Sequence, residues 1–396
     1  MNTQQLIQAA DRCVLCGLCS SHCPTYHLHR QEGESPRGRV MMSRALLSGS
    51  VTLDHSFERH LNHCLLCRAC ENSCPSEVPY GEIIDHARAR LPRPKGGAWL
   101  LEWVAERPQL LQIAATTLRT LSKARFPLPA IGRAAAHLLP AVTEELRPHY
   151  SPTVPPIGRV GLFLGCIAAP FDRQTHQAAI TLLLHLGYEL FIPEQQQCCG
   201  ALAQHHGNLE SATTLANKNR SVFAEQPLDA ILFTSTGCGL QLVENGSLPV
   251  PCFEICHFLL QSPNWKRLHL HPLPQRVLLH HPCSLSNVLH GTEAVEHLLE
   301  QIPELSVSPL LPNHSCCGSA GSHRLREPES ASRLRQPKVD AAIDSDVSTL
   351  LSTNYGCALH LQEGLLAEGS KITVYHPITL LLHSLTPSLD EPRNNR

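Results

Sequence analysis

Two short cysteine runs constrain this chain more than any other feature. Cys13, Cys16, Cys19 and Cys23 precede Pro24, and the same spacing returns at Cys64, Cys67, Cys70 and Cys74 before Pro75. A C-x2-C-x2-C-x3-C-P run lets a tight loop wrap one 4Fe–4S cube with three thiolates, while the chain carries the fourth thiolate to the other cluster. The proline ends the wrap by fixing φ and removing a backbone donor. That crossing rule assigns Cys13, Cys16, Cys19 and Cys74 to one cluster and Cys64, Cys67, Cys70 and Cys23 to the second. Zinc sites instead use close pairs of ligands separated by a longer loop, a pattern these evenly spaced triplets do not follow. The expectation is two 4Fe–4S clusters side by side, which make a wire and not by themselves a catalyst.

The remaining composition narrows the setting. The chain has 396 residues, enough for two to four domains. Its formal net charge of −2 gives no electrostatic reason to expect nucleic acid as a partner. No apolar run approaches a transmembrane helix, and the longest lies near Leu380–Leu382. The start, MNTQQLIQAADR, has neither the basic beginning nor the apolar stretch of a signal peptide. With that reading, 18 cysteines in closely spaced groups point to thiolate ligands in a reducing cytosol and not to a disulfide framework.

A second repeat organises the longer C-terminal part. RVGLFLGC, ending at Cys166, corresponds to RVLLHHPC, ending at Cys283. Cys198-Cys199-Gly200 corresponds to Cys316-Cys317-Gly318, and TSTGCGLQL around Cys238 to TNYGCALHL around Cys357. Each copy thus offers a candidate further metal centre: Cys166, Cys198, Cys199 and Cys238 in the first, Cys283, Cys316, Cys317 and Cys357 in the second. Adjacent cysteines reach one small ion only with strain, but they suit two irons of a larger cluster, and the following glycine lets the backbone come close. Additional iron–sulfur or zinc occupancy both remain open, as do buried free cysteines. Cys252 and Cys256 have no counterpart in the other copy and read as small buried hydrophobes. His280 and His281 read as strand-end residues, with hydrogen-bond tuning of the Cys283 site as the alternative.

Within each copy the pattern alternates strand and helix. Val160–Leu164 and Val277–Leu279 read as buried strands, Gln174–Leu186 as a helix and Glu189–Ile192 as the next strand, which implies parallel sheets with ligand loops at the strand ends. Between the two kinds of repeat, residues 92–157 carry apolar residues at helical spacing (Trp99, Trp103, Leu110, Ile113, Leu121) and seven prolines from Pro127 to Pro156. They read as one or two amphipathic helices followed by an extended linker. Their excess of basic residues suits a partner subunit, the chain's own domains or a membrane surface. Pro36-Arg37-Gly38-Arg39 reads as a turn ahead of a helix over Val40–Leu47, its arginines placed to raise a cluster potential or dock an acidic partner. The expected architecture is an α+β and α/β multidomain chain: a helical or ferredoxin-like domain with two 4Fe–4S clusters over 1–91, the helical segment and Pro-rich linker over 92–157, and two tandem α/β Cys-Cys-Gly domains over 158–270 and 271–388.

CxxCGLCSSHCPTY, SPRGR, CLLCRACENSCPS, CCGSAGS and TNYGC together resemble the iron–sulfur subunit of glycolate oxidase, from Cys13 to about Leu382. The Cys-Cys-Gly repeats are shared with heterodisulfide reductase subunits, anaerobic glycerol-3-phosphate dehydrogenase and lactate-utilisation proteins. The resemblance implies a non-flavin subunit of a 2-hydroxyacid (glycolate) dehydrogenase with no catalytic residue of its own. It would accept electrons from an FAD subunit that oxidises glycolate to glyoxylate, beside a second flavin-type subunit, and pass them to quinone or another membrane acceptor. It would be cytoplasmic and peripheral on the inner face of the membrane. A D-lactate or glycerol-3-phosphate dehydrogenase subunit, or a disulfide reductase of the heterodisulfide type, is the alternative. No G-x-G-x-x-G follows a strand, consistent with the flavin lying in another subunit. There is one departure. Where the heterodisulfide reductase relatives end each repeat with C-x-x-C and hold a noncubane cluster on five cysteines, this chain has Ser235 and Asn354 in place of the first cysteine.

Overall fold

The structure is a computed structural model that describes residues 1–139, 145–246, 248–312 and 315–385. The N-terminal module contains helices and no strand among the described residues. Helices Thr3–Asp11, Pro36–Leu47, His55–Asn62 and Tyr80–Arg88 enclose a small core of Leu6, Val40, Leu61, Ile83 and Ile84. The Pro-Arg-Gly-Arg segment is not a turn before a helix but the first turn of the helix itself. Ser35 caps it by accepting from the Gly38 amide, and Pro36 stands at the first position, where its missing N–H costs nothing. A side chain at residue 38 would meet the Glu32 carbonyl at 2.1 Å, so only glycine fits.

The two Cys-Cys-Gly repeats have the same sheet topology. The first is built on β1 (His149–Tyr150), β2 (Gly158–Phe163), β3 (Tyr188–Phe191), β4 (Ala230–Phe233) and β5 (Cys252–Glu254), in the order β1-β3-β2-β4-β5. The second is built on β6 (Arg276–His280), β7 (Ser306–Pro309), β8 (Thr349–Ser352) and β9 (Thr373–Tyr375), in the order β7-β6-β8-β9. Every pairing is parallel except that of β1, an antiparallel edge strand on β3. Strands β4 and β8 are buried along their whole length, as expected of central parallel strands covered on both faces.

The repeats do not stand apart. One apolar core runs through both: Val160, Leu162, Leu182, Leu183, Ile255 and Leu259 from the first join Val277, Leu279, Val295, Leu298, Ile378 and Leu381 from the second. The helix Arg173–Leu186 lies on the C-terminal helix Pro377–Leu385, and Ile255–Leu260 on Thr292–Glu300.

The segment expected as one or two helices and a linker is more structured than that. It forms three helices, Gly97–Ala105, Pro108–Lys123 and Ala130–Leu138. The last packs on the helix Tyr355–Ala367, with Ala134, Ala135 and Leu138 in a core shared with Leu361 and Leu365. Residues 149–150, placed in the linker by sequence, are strand β1. Pro140 lies outside the described residues.

Buried polar contacts fasten the parts together. Arg88 donates to the carbonyls of Leu61 (2.9 Å), Asn62 (3.2 Å) and Cys64 (2.6 Å) in the N-terminal module and to His205 (3.3 Å) in the first repeat. His206 bridges the Glu102 carboxylate (2.6 Å) and the Ser322 hydroxyl (2.5 Å), which joins the middle segment to both repeats. At this seam Gly207 has φ +74°, and a Cβ there would meet the Arg88 carbonyl oxygen at 2.4 Å, backbone that cannot yield cheaply. Gly207→Val should therefore destabilise the chain by about 1–3 kcal/mol. Chemical denaturation should also show the N-terminal module separating from the repeats at lower denaturant than in the wild type.

Candidate metal centres

The sixteen cysteines singled out by spacing gather into four groups of four. Cys13, Cys16, Cys19 and Cys74 line one small cavity near the surface, with Cys16 exposed. Cys23, Cys64, Cys67 and Cys70 line a second small cavity, deeper in the module, with all but Cys67 buried. Each cavity takes three cysteines from one run and its fourth from the other. The backbone repeats as well: Leu15 (φ 57°) and Gly17 (φ 85°) in the first loop match Leu66 (φ 50°) and Arg68 (φ 60°) in the second, all left-handed. Such turns aim backbone N–H groups into the loop, and the Leu66 amide donates to Cys64 Sγ at 3.4 Å.

The two cavities differ in how positive charge is brought to them. At the outer one, half-buried Arg37 donates to the Leu15 carbonyl at 3.0 Å and pairs with Glu32 at 2.7 Å. At the inner one, Arg39 is 1% exposed, sits 3.8 Å from Cys23 Sγ and donates to Thr25 Oγ1 at 2.8 Å and the His60 carbonyl at 2.7 Å. Burial works against its charge, but Tyr80, Cys64, Cys23 and Glu34 more than offset this and raise its pKa. Glu34 is the ion-pair partner of Arg39 and also accepts from His60 (2.7 Å) and His63 (2.9 Å). Burial alone would raise the Glu34 carboxyl, yet His63, Arg39 and His60 hold it at about 2. Sequence reasoning noted the arginines but not this network; the only sequence signal was SPRGR itself. Burial, followed by neighbouring sulfur, pushes the Cys67 and Cys70 thiols well up, so without a cation both stay protonated.

In the repeats every candidate cysteine lies in a loop at, or in the helical turn that follows, the carboxyl end of a parallel strand, where such sheets bind ligands. Gly200 (φ +91°) and Gly318 (φ +86°) turn the chain directly after the paired cysteines, and a Cβ would strike the backbone of Ala212 at 3.1 Å or Ala331 at 2.8 Å. In the first repeat the thiols form a chain from Cys166 to Cys198, Cys199 and Cys238. In the second, Cys283 and Cys316 are 4.0 Å apart and Cys317 and Cys357 3.1 Å apart. Contact with the Cys316 and Cys357 thiols holds the Cys317 thiol well below the ordinary range, against the push of burial. Buried Lys338 faces this group while donating to the Pro312 carbonyl. Of the two unmatched cysteines, Cys256 is fully buried in the shared core and Cys252 lies on β5.

Ser235 and Asn354, the two replaced positions, meet. Ser235 Oγ donates to Asn354 Oδ1 at 2.8 Å, and Asn354 Nδ2 lies 3.2 Å from Cys357 Sγ. The inner N-terminal cavity adjoins the second repeat: Cys67, Cys283, Cys316, Leu65 and Leu334 share one apolar cluster, and Asn287 Nδ2 donates to the Cys67 carbonyl at 2.8 Å.

Thiols grouped this closely and free of disulfides suit thiophilic metal and cluster iron. The chain is an iron–sulfur protein of the oxidoreductase class. Residues 9–78 match the 4Fe-4S dicluster domain, and residues 160–243 and 277–362 each match the cysteine-rich domain. Within that class it resembles glycolate oxidase iron–sulfur subunits. It is 29% identical to the probable glycolate oxidase iron-sulfur subunit of Bacillus subtilis and 28% identical to the glycolate oxidase iron-sulfur subunit of Escherichia coli, each over 94% of this chain and 93% of the relative. It is also 24% identical to a fumarate reductase (CoM/CoB) subunit of Methanothermobacter marburgensis, over 90% of this chain and 68% of that one. A hypothetical protein from Helicobacter pylori shares the fold at a TM-score of 0.56 and 9% identity, over 89% of this chain and 68% of that structure.

Removing Glu34 would strand Arg39 as an uncompensated buried charge. Glu34→Gln should cost about 3–5 kcal/mol at neutral pH. Because the Glu34 carboxyl is lowered from 4.5 to about 2, its contribution is present above pH 4.5 and fades as the pH falls towards 2. Unfolding followed across that window should show the gap between wild type and variant closing.

Proposed function

We propose that this chain is the electron-transfer subunit of a flavin-linked glycolate dehydrogenase complex. It would take electrons from an FAD subunit that oxidises glycolate to glyoxylate and deliver them towards quinone. The observation that carries this reading is the grading of sulfur groups from surface to interior. The outer quartet has Cys16 exposed and its other three cysteines half-buried, the inner one has Cys23, Cys64 and Cys70 buried, and the inner quartet adjoins the sulfur group of the second repeat. Cys13, Cys16, Cys19 and Cys74 would hold one cluster, and Cys23, Cys64, Cys67 and Cys70 the other; a 4Fe–4S cluster supplies one-electron transfer when bound. Cys166, Cys198, Cys199, Cys238 and Cys283, Cys316, Cys317, Cys357 would hold further metal.

The protein's own part is to fix the sulfurs, exclude water from the inner quartet and place Arg39 beside it. Half-buried Arg37 and the exposed apolar side chains of Val14, Leu15 and Leu18 around the outer quartet suit a docking partner there. The division 1–91, 92–157, 158–270 and 271–388 is carried into this reading as its domain plan; residues 386–388 lie outside the described residues. Among the described residues no helix is long and apolar enough to cross a membrane, so membrane association would be peripheral or through another subunit.

Anaerobic purification should recover the chain with an FAD protein that glycolate reduces, and iron well above the eight atoms that two 4Fe–4S clusters hold. Cys67→Ser should leave reduction of that flavin by glycolate intact while quinone reduction falls to background. Quinone reduction that persists at the wild-type rate would refute the relay. Flavin reduced by D-lactate and not by glycolate would keep the relay and change the substrate.

A further inference from the structure

The two repeats are alike in topology but not in what faces the sulfurs. His280, the last residue of β6, is 1% exposed. Its Nδ1 lies 3.1 Å from Ser352 Oγ, while Nε2 is buried with no hydrogen-bond partner. A ring nitrogen of His280 and the Sγ atoms of Cys317 and Cys357 all lie within 4.8 Å of one another. A buried imidazole nitrogen left unpaired is costly unless something takes its lone pair. The arrangement around Nδ1 is the one that fixes a metal-binding histidine: one nitrogen tied to a neighbouring oxygen, the other free to ligate.

In the first repeat the matching strand end is Phe163, as the alignment of RVGLFLGC with RVLLHHPC requires. Phe163 is 1% exposed and packs among Cys198, Cys199 and Phe223. A phenyl ring offers no ligand atom. The second difference is Lys338, which faces the sulfurs of the second repeat and is fully buried. It brings positive charge to that group only.

We propose that His280 is a nitrogen ligand to an iron centre held by Cys283, Cys316, Cys317 and Cys357, so that the second repeat builds a mixed imidazole–thiolate site and the first a purely thiolate one. This rests on the reading that the repeats hold metal. The histidine takes up a donor position in a repeat whose C-x-x-C cysteine is replaced by Asn354, and Ser352 is its positioning residue.

The full chain, purified anaerobically after growth on 15N-histidine, supplies the test through pulsed EPR, with iron counted per chain. The wild type should show a histidine nitrogen coupling that changes with the isotope. His280→Ala should lose that coupling and give up iron to a chelator at least tenfold faster, the scale known for losing even an outer partner of a ligand. His280→Cys should keep the iron without the coupling, and Phe163→Ala should leave the coupling in place. Iron in excess of eight with no nitrogen coupling, or a coupling that survives in His280→Ala, would overturn the inference and leave the relay standing. Only eight irons in the wild type would remove iron from the repeats and the inference with it.

Discussion

A sulfur that must carry negative charge inside a protein is tolerated only beside a cation. This chain buries thiols in groups, and burial together with neighbouring sulfur raises the pKa values of most of them, Cys317 being the exception. Left to themselves most would stay protonated and would serve only as packing. Iron between them reverses the balance, because each thiolate then neutralises charge instead of adding to it. Much of the architecture follows from that requirement: loops in left-handed conformations that turn sulfurs inward, glycines where backbone must pass close, and a buried cation, Arg39 or Lys338, beside two of the sulfur groups.

The N-terminal module shows how local the answer is. Arg39 must be fully buried to reach Cys23, and a buried arginine needs a carboxylate, so Glu34 is buried with it. Glu34 in turn collects His60 and His63 and ties the helix that carries them to the loop that carries Cys23. One charged contact therefore organises three segments around the inner cavity. The outer cavity manages with half-exposed Arg37 because water shares in solvating it.

The spacing of Cys13 to Cys23 and Cys64 to Cys74 is legible because a loop of fixed length around a cube leaves a fixed period in the sequence. The doubled sheet is legible for a related reason: an apolar strand, a motif loop and a helix recur in the same order from Val160 and from Val277. The middle segment misleads because proline density around Pro127–Pro129 reads as extended chain, whereas tertiary packing of Ala134 and Leu138 against Leu361 and Leu365 sustains a helix between the prolines. Pro-Arg-Gly-Arg misleads because proline and glycine both mark turns, while at a helix start proline is favoured and the glycine answers to the carbonyl of Glu32. Contacts such as Ser235 with Asn354, or Cys67 with Cys283, join residues far apart in sequence and leave no period to read.

Internal duplication gives both repeats the same ligand loops, but packing has treated them differently. Phe163 seals the first sulfur group with an aromatic ring, and buried Asn219 there donates to the Cys198 carbonyl at 3.0 Å and accepts from the Gln197 amide at 2.7 Å, locking the cysteine loop by backbone contacts alone. The second group has His280 at the strand end and Lys338 on the facing helix, and it is this group that touches the inner cavity of the N-terminal module. The copy placed beside the inner quartet has His280 and Lys338 at its sulfurs, where the other has the Phe163 ring. A duplicated fold thus separates scaffold from chemistry. Both copies must be present because Leu182, Leu259, Leu298 and Leu381 form one core that neither could close alone, yet the side chains around each sulfur group are free to differ.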